Sequence, residues 1–204
     1  MPAPPAEPGT QAIVLAAGAG RRFGGGKLLA PFRSRALVCW AVDAALATTV
    51  GGVNVVVGAR GEEVAARLSP LQQVRLRVVD CPEWDEGLAA SLRCGIESLP
   101  ADTRAALIFL GDMPDICARL ADRVLREVLN GAPAAMPVFG GRPGHPVAVS
   151  SRLFPAFRRL RGDRGARYLL DGLDGLVRIE TADPGCVRDV DTPADLDALP
   201  VQPR

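Results

Sequence analysis

The residue types that phosphate chemistry needs are concentrated near the start of the chain, between Val14 and Lys27. This stretch combines five glycines with three cationic side chains, namely Gly18, Gly20, Gly24, Gly25, Gly26, Arg21, Arg22 and Lys27. Glycine lets backbone N–H groups approach a ligand closely, and the cations favour a ligand rich in phosphate. The stretch therefore predicts a nucleotide-binding loop rather than a simple turn.

Two well-known phosphate-binding loops do not fit this stretch. A Walker A loop requires Ser or Thr after Gly-Lys, but Leu28 follows Lys27. The dinucleotide fingerprint G-x-G-x-x-G requires a third glycine at the position of Phe23. A P-loop NTPase and a Rossmann dehydrogenase are therefore disfavoured.

Two aspartate motifs further along the chain are candidates for metal binding. Asp112 directly follows the apolar run 105–110, and Asp189 and Asp191 alternate along a short extended segment, which places them on one side. Carboxylate and phosphate oxygens are the ligands that Mg2+ prefers. We expect Asp112 and one aspartate of the second motif to share Mg2+, while Asp115 and Thr192 cap the helices that follow.

Strand and helix patterns alternate along the chain and would position these motifs. Strands are predicted at 12–17, 53–57, 74–79, 105–110, 134–139, 147–149 and 176–180. Helices are predicted at 34–47 with Ser34 as cap, 61–68, 86–99, 115–130, 164–170 and 193–199.

This alternation predicts an α/β fold, a three-layer, mostly parallel, Rossmann-like sheet with helices on both faces. The less regular run after residue 133 is expected to add an antiparallel edge. We expect a disordered leader at 1–10 and a single domain at 11–200, because 204 residues suffice for one core. Ligands of such sheets bind where parallel strands end, here near residues 17, 80 and 111.

Composition excludes several other classes of protein. The formal net charge of +1 disfavours nucleic-acid binding, and no apolar run is long enough to span a membrane. The five cysteines form no CxxC pair and His145 is the only histidine, which disfavours a zinc site. Scattered thiols without a signal peptide predict a cytoplasmic protein.

Five motifs together resemble a known family. They are LAAG-x-x-x-R-F-G-x-x-K at 15–27, LGDMP at 110–114, DVDTPADL at 189–196, GRPGHPV at 141–147 and GDRGARYLL at 162–170. The chain resembles the MobA-like nucleotidyltransferases over about residues 11–199. The last two motifs, with Cys81–Trp84 and Ser91, favour the branch of molybdenum cofactor cytidylyltransferases. Gly20 and Leu88 depart from that branch, which commonly has Ser and Met there.

The resemblance implies a site for CTP, Mg2+ and molybdopterin or molybdenum cofactor. It implies catalytic residues Lys27, Arg22 and Asp112, metal ligands Asp112 and Asp191, and acceptor contacts His145 and Arg167. It also implies a set of nucleotide contacts, namely Leu15, Ala16, Ala17, Gly18, Gly20, Arg22, Gly24, Lys27 and Ser91. Ala17 favours CTP, because guanylyl-transferring relatives tend to read LAGG. A molybdenum hydroxylase or its maturation chaperone is the implied protein partner.

Three other functions are compatible with parts of this pattern. Guanylyl transfer to the same cofactor, or nucleotidyl transfer to a sugar phosphate or alcohol phosphate, would use the same loop and aspartates. A non-catalytic chaperone for the cofactor would use the binding surfaces alone. The presence of Lys27, Asp112 and Asp191 together argues against the chaperone, because binding alone does not need a metal pair.

Overall fold

Strands and helices alternate through the computed structural model, which describes residues 6–71, 74–162 and 166–199. The strands of these residues are β1 (Glu7–Ala16), β2 (Pro31–Phe32), β3 (Arg35–Ala36), β4 (Val50–Val57), β5 (Leu76–Asp80), β6 (Ala105–Leu110), β7 (Ala134–Phe139), β8 (Arg142–Pro143), β9 (Val147–Ser150) and β10 (Val177–Glu180). The α-helices are α1 (Leu37–Leu46), α2 (Gly61–Leu68), α3 (Leu88–Glu97), α4 (Ala118–Leu129), α5 (Phe154–Phe157), α6 (Ala166–Leu170) and α7 (Pro193–Asp197).

One sheet with the strand order β10-β7-β9-β6-β1-β4-β5 forms the middle layer, with β8 paired to β7. The pairs of β1 with β4 and β6, of β4 with β5, and of β7 with β10 are parallel. Both faces of β1 are covered, which explains its almost continuous apolar sequence. This arrangement confirms the predicted mostly parallel α/β fold.

Helices cover both faces of the sheet, as predicted. On one face α1, α2 and α4 pack against Ala12, Val14 and Ala16 of β1. On the other face α3, α5 and α6 pack against Ile13 and Leu15 of the same strand. The alternation of β1 side chains between two separate cores therefore produces the three layers.

The prediction that the antiparallel strand forms an edge of the sheet is wrong. The antiparallel strand β9 lies between β6 and β7, and the edge beyond β7 is β10, which runs parallel to it. The glycine turn at Gly140 and Gly141 reverses the chain after β7, so that β9 returns beside it. Local sequence does not determine which strands a short strand will pair with in the sheet.

Two predicted helix caps are also wrong. Ser34 lies in the turn between β2 and β3 with φ +66°, and α1 begins at Leu37 without a side-chain cap. Asp115 forms ion pairs with arginines, and α4 begins later, at Ala118. Ser34 therefore belongs to a hairpin turn and Asp115 to tertiary ion pairs, and neither residue caps the helix that its local sequence predicted.

The chain start differs from the predicted leader as well. Residues 1–5 lie outside the described residues, and β1 already begins at Glu7, with an irregular register between Glu7 and Gln11. The predicted helix at 164–170 is described only from Ala166. No helix among the described residues has the length and apolar character needed to cross a membrane.

Candidate active site

The loop after β1 folds back on itself so that Lys27 returns to the end of the strand. Gly20 and Gly24 flank a short 3-10 turn with φ +64° and +88°, values that favour glycine. A Cβ atom at Gly20 would lie 2.9 Å from the Cβ of Lys27. Glycine is therefore required at position 20 for both its backbone angle and the close approach of Lys27.

Lys27 joins two carboxylates that come from distant parts of the chain. Its Nζ donates to Oδ2 of Asp112 at 2.6 Å and to Oδ1 of Asp191 at 3.3 Å. The Lys27 side chain is only 12% exposed. Arg22, whose side chain is 78% exposed, donates to the other oxygen of Asp191. The structure thus brings together all four residues for which catalysis or metal binding was predicted.

The turn after β6 places Asp112 at this point. The N–H of Gly111 donates to the carbonyl of Leu15 at 2.9 Å, and a Cβ atom at position 111 would lie 3.0 Å from that same oxygen. The parallel register of β6 with β1 brings Leu110 opposite Leu15. Asp112 therefore leaves the sheet beside the glycine-rich loop.

One carboxylate oxygen of Asp112 has no hydrogen-bond partner among the described residues. Oδ1 is buried and accepts no hydrogen bond, while Oδ2 accepts from Lys27. A buried, unpaired acceptor is costly unless a ligand uses it, so this atom fits a divalent cation. The described residues contain no group of three or more His, Cys, Asp or Glu side chains able to hold a metal ion. Two carboxylates with phosphate oxygens and water are a usual set for Mg2+.

The helix cap after Asp191 fixes the second carboxylate. Thr192 and Asp195 form a capping box, which confirms Thr192 as the predicted cap of α7. Oδ2 of Asp195 also accepts from the N–H of Asp191 at 3.0 Å. Asp191 reaches Lys27, whereas Asp189 is exposed and makes no such contact.

A cleft of about 570 Å³ opens beside these charges. Of the predicted nucleotide and metal residues, nine line it, namely Leu15, Ala17, Gly18, Gly20, Arg22, Lys27, Ser91, Asp112 and Asp191. Ala16 is buried and Gly24 is exposed, and neither of them lines the cleft. The volume of the cleft lies within the range of about 300–1,000 Å³ that is usual for sites of small ligands and cofactors.

The segment after β5 supplies a wall that sequence reasoning described only in part. Trp84 and Ser91 line the cleft as the resemblance implied, and Asp85 lines it without having been singled out. A Cβ atom at Gly58 would lie 2.4 Å from the Cβ of Trp84, so the tryptophan packs directly against the end of β4. The position of Asp85 after a parallel strand was the signal that could have found it.

A second cavity of about 170 Å³ adjoins the cleft and contains both predicted acceptor residues, His145 and Arg167. Leu15, Leu88 and Leu110 line both cavities. The remaining lining of the second cavity is mostly apolar. Residues 163–165 of the GDRGAR motif lie outside the described residues.

The ring of His145 is held at one edge by the sheet. Its Nδ1 lies 3.3 Å from the carbonyl oxygen of Ile108, which requires a proton on Nδ1 for a hydrogen bond. Burial lowers the pKa of His145 below its ordinary value, although the Ile108 carbonyl and the charges of Asp112 and Asp189 oppose that change. The imidazole is therefore neutral at pH 7.

A mostly parallel sheet with a glycine-rich loop, a largely buried lysine side chain and two aspartates at the carboxyl ends of its strands defines an α/β protein suited to nucleotide phosphates. Within that class, the chain belongs to the family of the MobA-like NTP transferase domain, whose model matches residues 12–178.

The chain is similar to several proteins whose names indicate different activities. Nicotine blue oxidoreductase of Paenarthrobacter nicotinovorans is 34% identical over 194 residues, covering 88% of this chain and 91% of the relative. Molybdenum cofactor cytidylyltransferase of Escherichia coli (strain K12) is 28% identical over 184 residues, covering 90% and 91%. Among solved structures, a nucleotidyl transferase from Methanothermobacter thermautotroptrophicus is 26% identical with a TM-score of 0.77, covering 93% of this chain and 94% of that one.

Proposed function

We propose that the protein transfers CMP from CTP to the terminal phosphate of molybdopterin or molybdenum cofactor and releases pyrophosphate. The observation that carries this proposal is the position of Lys27 between Asp112 and Asp191, at the mouth of the glycine-rich loop. The Lys27 ammonium can stabilise negative charge on phosphoryl oxygens, and the two carboxylates can hold a divalent cation that does the same; this stabilisation is the main task in phosphoryl and nucleotidyl transfer.

The two cavities supply places for the two substrates. The larger cleft would hold the triphosphate and the base, and the smaller cavity with His145 and Arg167 would contact part of the acceptor. Because Leu15, Leu88 and Leu110 line both, an acceptor phosphate can approach the nucleotide without leaving the protein. Such positioning of two reactants accounts for a large part of enzymatic rate enhancement.

The protein side chains hold the reacting phosphates rather than remove a proton. A terminal phosphate oxygen of the acceptor bonds to the α-phosphorus of CTP while the bond from that phosphorus to the β-phosphate oxygen breaks. The nucleophile is already anionic, so no strong general base is needed. Lys27 and Arg22 would donate hydrogen bonds to oxygens that gain charge in this step. Asp112 and Asp191 would hold Mg2+, which neutralises phosphate charge when bound.

Two features support CTP and the molybdenum-containing acceptor over other substrates of the family. Ala17, which lines the cleft, is typical of cytidylyl-transferring relatives, and one relative is named for that reaction. The GHPV motif places His145 in the second cavity. Sugar phosphates and alcohol phosphates, and GTP as donor, are the alternatives within the same mechanism.

Redox chemistry is a second candidate because one relative, at 34% identity, is named an oxidoreductase. An oxidoreductase needs an electron donor, such as a reduced nicotinamide dinucleotide, in addition to its substrate. The lysine with two aspartates favours transfer, since hydride chemistry does not require paired carboxylates around an ammonium group. The two candidates make different products and can be separated directly.

The decisive experiment is pyrophosphate release by the purified protein with Mg2+ and molybdopterin, supplying CTP, GTP, ATP or UTP separately. Pyrophosphate release with CTP alone supports the proposal. Release with GTP alone would identify GTP as the nucleotide donor and leave the proposed mechanism unchanged. A parallel sample receives a sugar phosphate as acceptor, and another receives NADH or NADPH in place of the NTP. No release with any NTP would overturn the transferase proposal, and NADH oxidation with the relative's substrate would then favour the redox candidate.

A further inference from the structure

A partly buried ion triad joins Asp115 to Arg33 and Arg188, three residues along the chain from each active-site aspartate. Asp115 accepts from Nη2 of Arg33 at its Oδ1 and from Nη1 of Arg188 at its Oδ2, both at 3.1 Å. The side chain of Asp115 is 14% exposed and that of Arg33 is 8% exposed. A carboxylate that accepts from two guanidinium groups at low exposure has a well-defined position, because charge-assisted hydrogen bonds of this kind are strong and directional.

The first ion pair of the triad, between Arg33 and Asp115, connects to the loop that carries Lys27. Arg33 lies at the tip of the β2–β3 hairpin, six residues after Lys27, with a left-handed backbone at φ +47°. Its guanidinium lies 4.4 Å from the ring centroid of Phe32 and 5.3 Å from that of Trp40. These contacts hold the Arg33 side chain on a rigid aromatic surface.

The second ion pair, between Arg188 and Asp115, connects to the segment that carries Asp191. Arg188 precedes Asp191 by three residues, and Asp115 follows Asp112 by three residues. The two segments run side by side, since the N–H of Val190 donates to the carbonyl of Asp112 at 3.1 Å. A Cβ atom at Gly185 would lie 2.2 Å from the carbonyl oxygen of Asp115, so the backbones are already in close contact there.

We infer that Asp115 is a positioning residue that sets the separation of Asp112 and Asp191 around Lys27. Its carboxylate joins the three segments that carry these groups, and it does so outside the cleft, where it touches no substrate. Without this charge, the backbone contacts at Val190 and Gly185 remain between the segment of Arg188 and the turn after β6, but the side chains of that segment are less firmly placed. The two carboxylates then no longer meet a divalent cation at a fixed spacing. The inference deepens the proposed function and rests on it for the identity of the site.

The test compares Asp115→Asn with a matched control, Asp122→Asn. Asp122 of α4 also accepts two hydrogen bonds, from the N–H and the hydroxyl of Thr49 at 2.9 Å, but it has no link to the aspartates of the site. Binding of Mn2+ to the protein in the presence of CTP is measured by the loss of the free-ion signal in electron paramagnetic resonance beyond the loss that the same concentration of CTP causes without protein. We expect Asp115→Asn to raise the dissociation constant of Mn2+ at least tenfold and Asp122→Asn to change it less than twofold.

A milder variant keeps the test informative if Asp115→Asn does not fold. Arg188→Gln removes one ion pair at a side chain that is 33% exposed, and it should raise the same constant at least threefold. Equal Mn2+ affinity in the wild type and in the folded Asp115 and Arg188 variants would overturn the inference. So would a wild type that binds no Mn2+, because there would be no paired carboxylate site to position. A wild type that binds Mn2+ with CTP but releases no pyrophosphate would overturn the proposed function alone.

Discussion

At the scale of single residues, the two candidate aspartates of the second motif differ in what they touch. Asp191 accepts from both Lys27 and Arg22, whereas Asp189 is exposed. Both are spaced to lie on one side of an extended segment, so the sequence pattern alone leaves the choice between them open. The position of Lys27 distinguishes them, and this position depends on the fold of the glycine-rich loop.

Asp112→Ala and Asp191→Ala should each lower pyrophosphate release at least 100-fold, because each removes a carboxylate from the only pair that meets Lys27 among the described residues. Asp189→Ala is the matched control and should stay within threefold of wild type. Initial rates at fixed Mg2+ and CTP measure the effect, with circular dichroism to verify folding. Full turnover by Asp112→Ala would show that the metal assignment is wrong.

His145 should make the stability of the protein depend on pH in a defined window. Burial lowers its pKa in the folded state, so the unfolded chain binds a proton more readily. The free energy of unfolding should therefore fall as the pH drops from 7.5 to 5.5, because the unfolded chain takes up a proton near its ordinary histidine pKa of about 6.5 and the folded protein does not. Since His145 is the only histidine, Asn at this position should remove most of that dependence.

Urea unfolding of wild type and His145→Asn at pH 7.5 and 5.5 measures this effect. The asparagine amide can still donate to the Ile108 carbonyl, so the comparison isolates the titrating ring. The same loss of stability in both proteins between the two pH values would rule out His145 as its source.

At the scale of elements, the site depends on how short segments end. The loop after β1 brings Arg22 and Lys27 to the site, the turn after β6 brings Asp112, and the segment that precedes α7 brings Asp191. The strand ends were predictable, because apolar runs followed by glycine or aspartate mark the carboxyl ends of parallel strands. Helix starts at Ser34 and Asp115 were mispredicted, because a hairpin and an ion triad compete with capping for the same polar residues.

Thr192→Ala should lower the free energy of unfolding by about 1 kcal/mol, because it removes the hydroxyl of a capping box. It should also raise the KM for Mg2+-CTP, since Asp195 then holds the N–H of Asp191 less firmly. Thr192→Ser keeps the hydroxyl and serves as the control. Denaturant unfolding and initial rates measure both effects. If the alanine and serine variants behave alike, the cap does not support the site.

At the scale of the whole molecule, the site lies where two independent cores meet the same sheet edge. One core packs α1, α2 and α4 against the sheet, and the other packs α3, α5 and α6 against it. The charged groups stand at the end of β1 and β6, between these layers. Ligand binding at this junction should therefore stabilise the entire fold rather than one loop.

CTP with Mg2+, at a concentration about 100 times the dissociation constant of CTP, should raise the free energy of unfolding by about 2.7 kcal/mol. For a domain of this size, that corresponds to an increase of roughly 5–10 °C in the thermal midpoint. EDTA should reverse most of the increase, and Asp112→Ala should show little Mg2+-dependent change. Differential scanning fluorimetry measures the midpoints. An increase with CTP that is insensitive to EDTA would show that the nucleotide binds without the proposed metal site.

Sequence alone determined the α/β class, the glycine-rich loop, the strand ends and the helix cap at Thr192, because each depends on the types of neighbouring residues. The periodicity of apolar positions, the glycines around Lys27 and the order of Thr192 to Asp195 are local signals. Tertiary structure alone decided the place of β9 between β6 and β7, the contact of Lys27 with Asp191 rather than Asp189, and the ion pairs of Asp115. These features join residues far apart in the chain, and their distances depend on how the layers pack rather than on any local pattern.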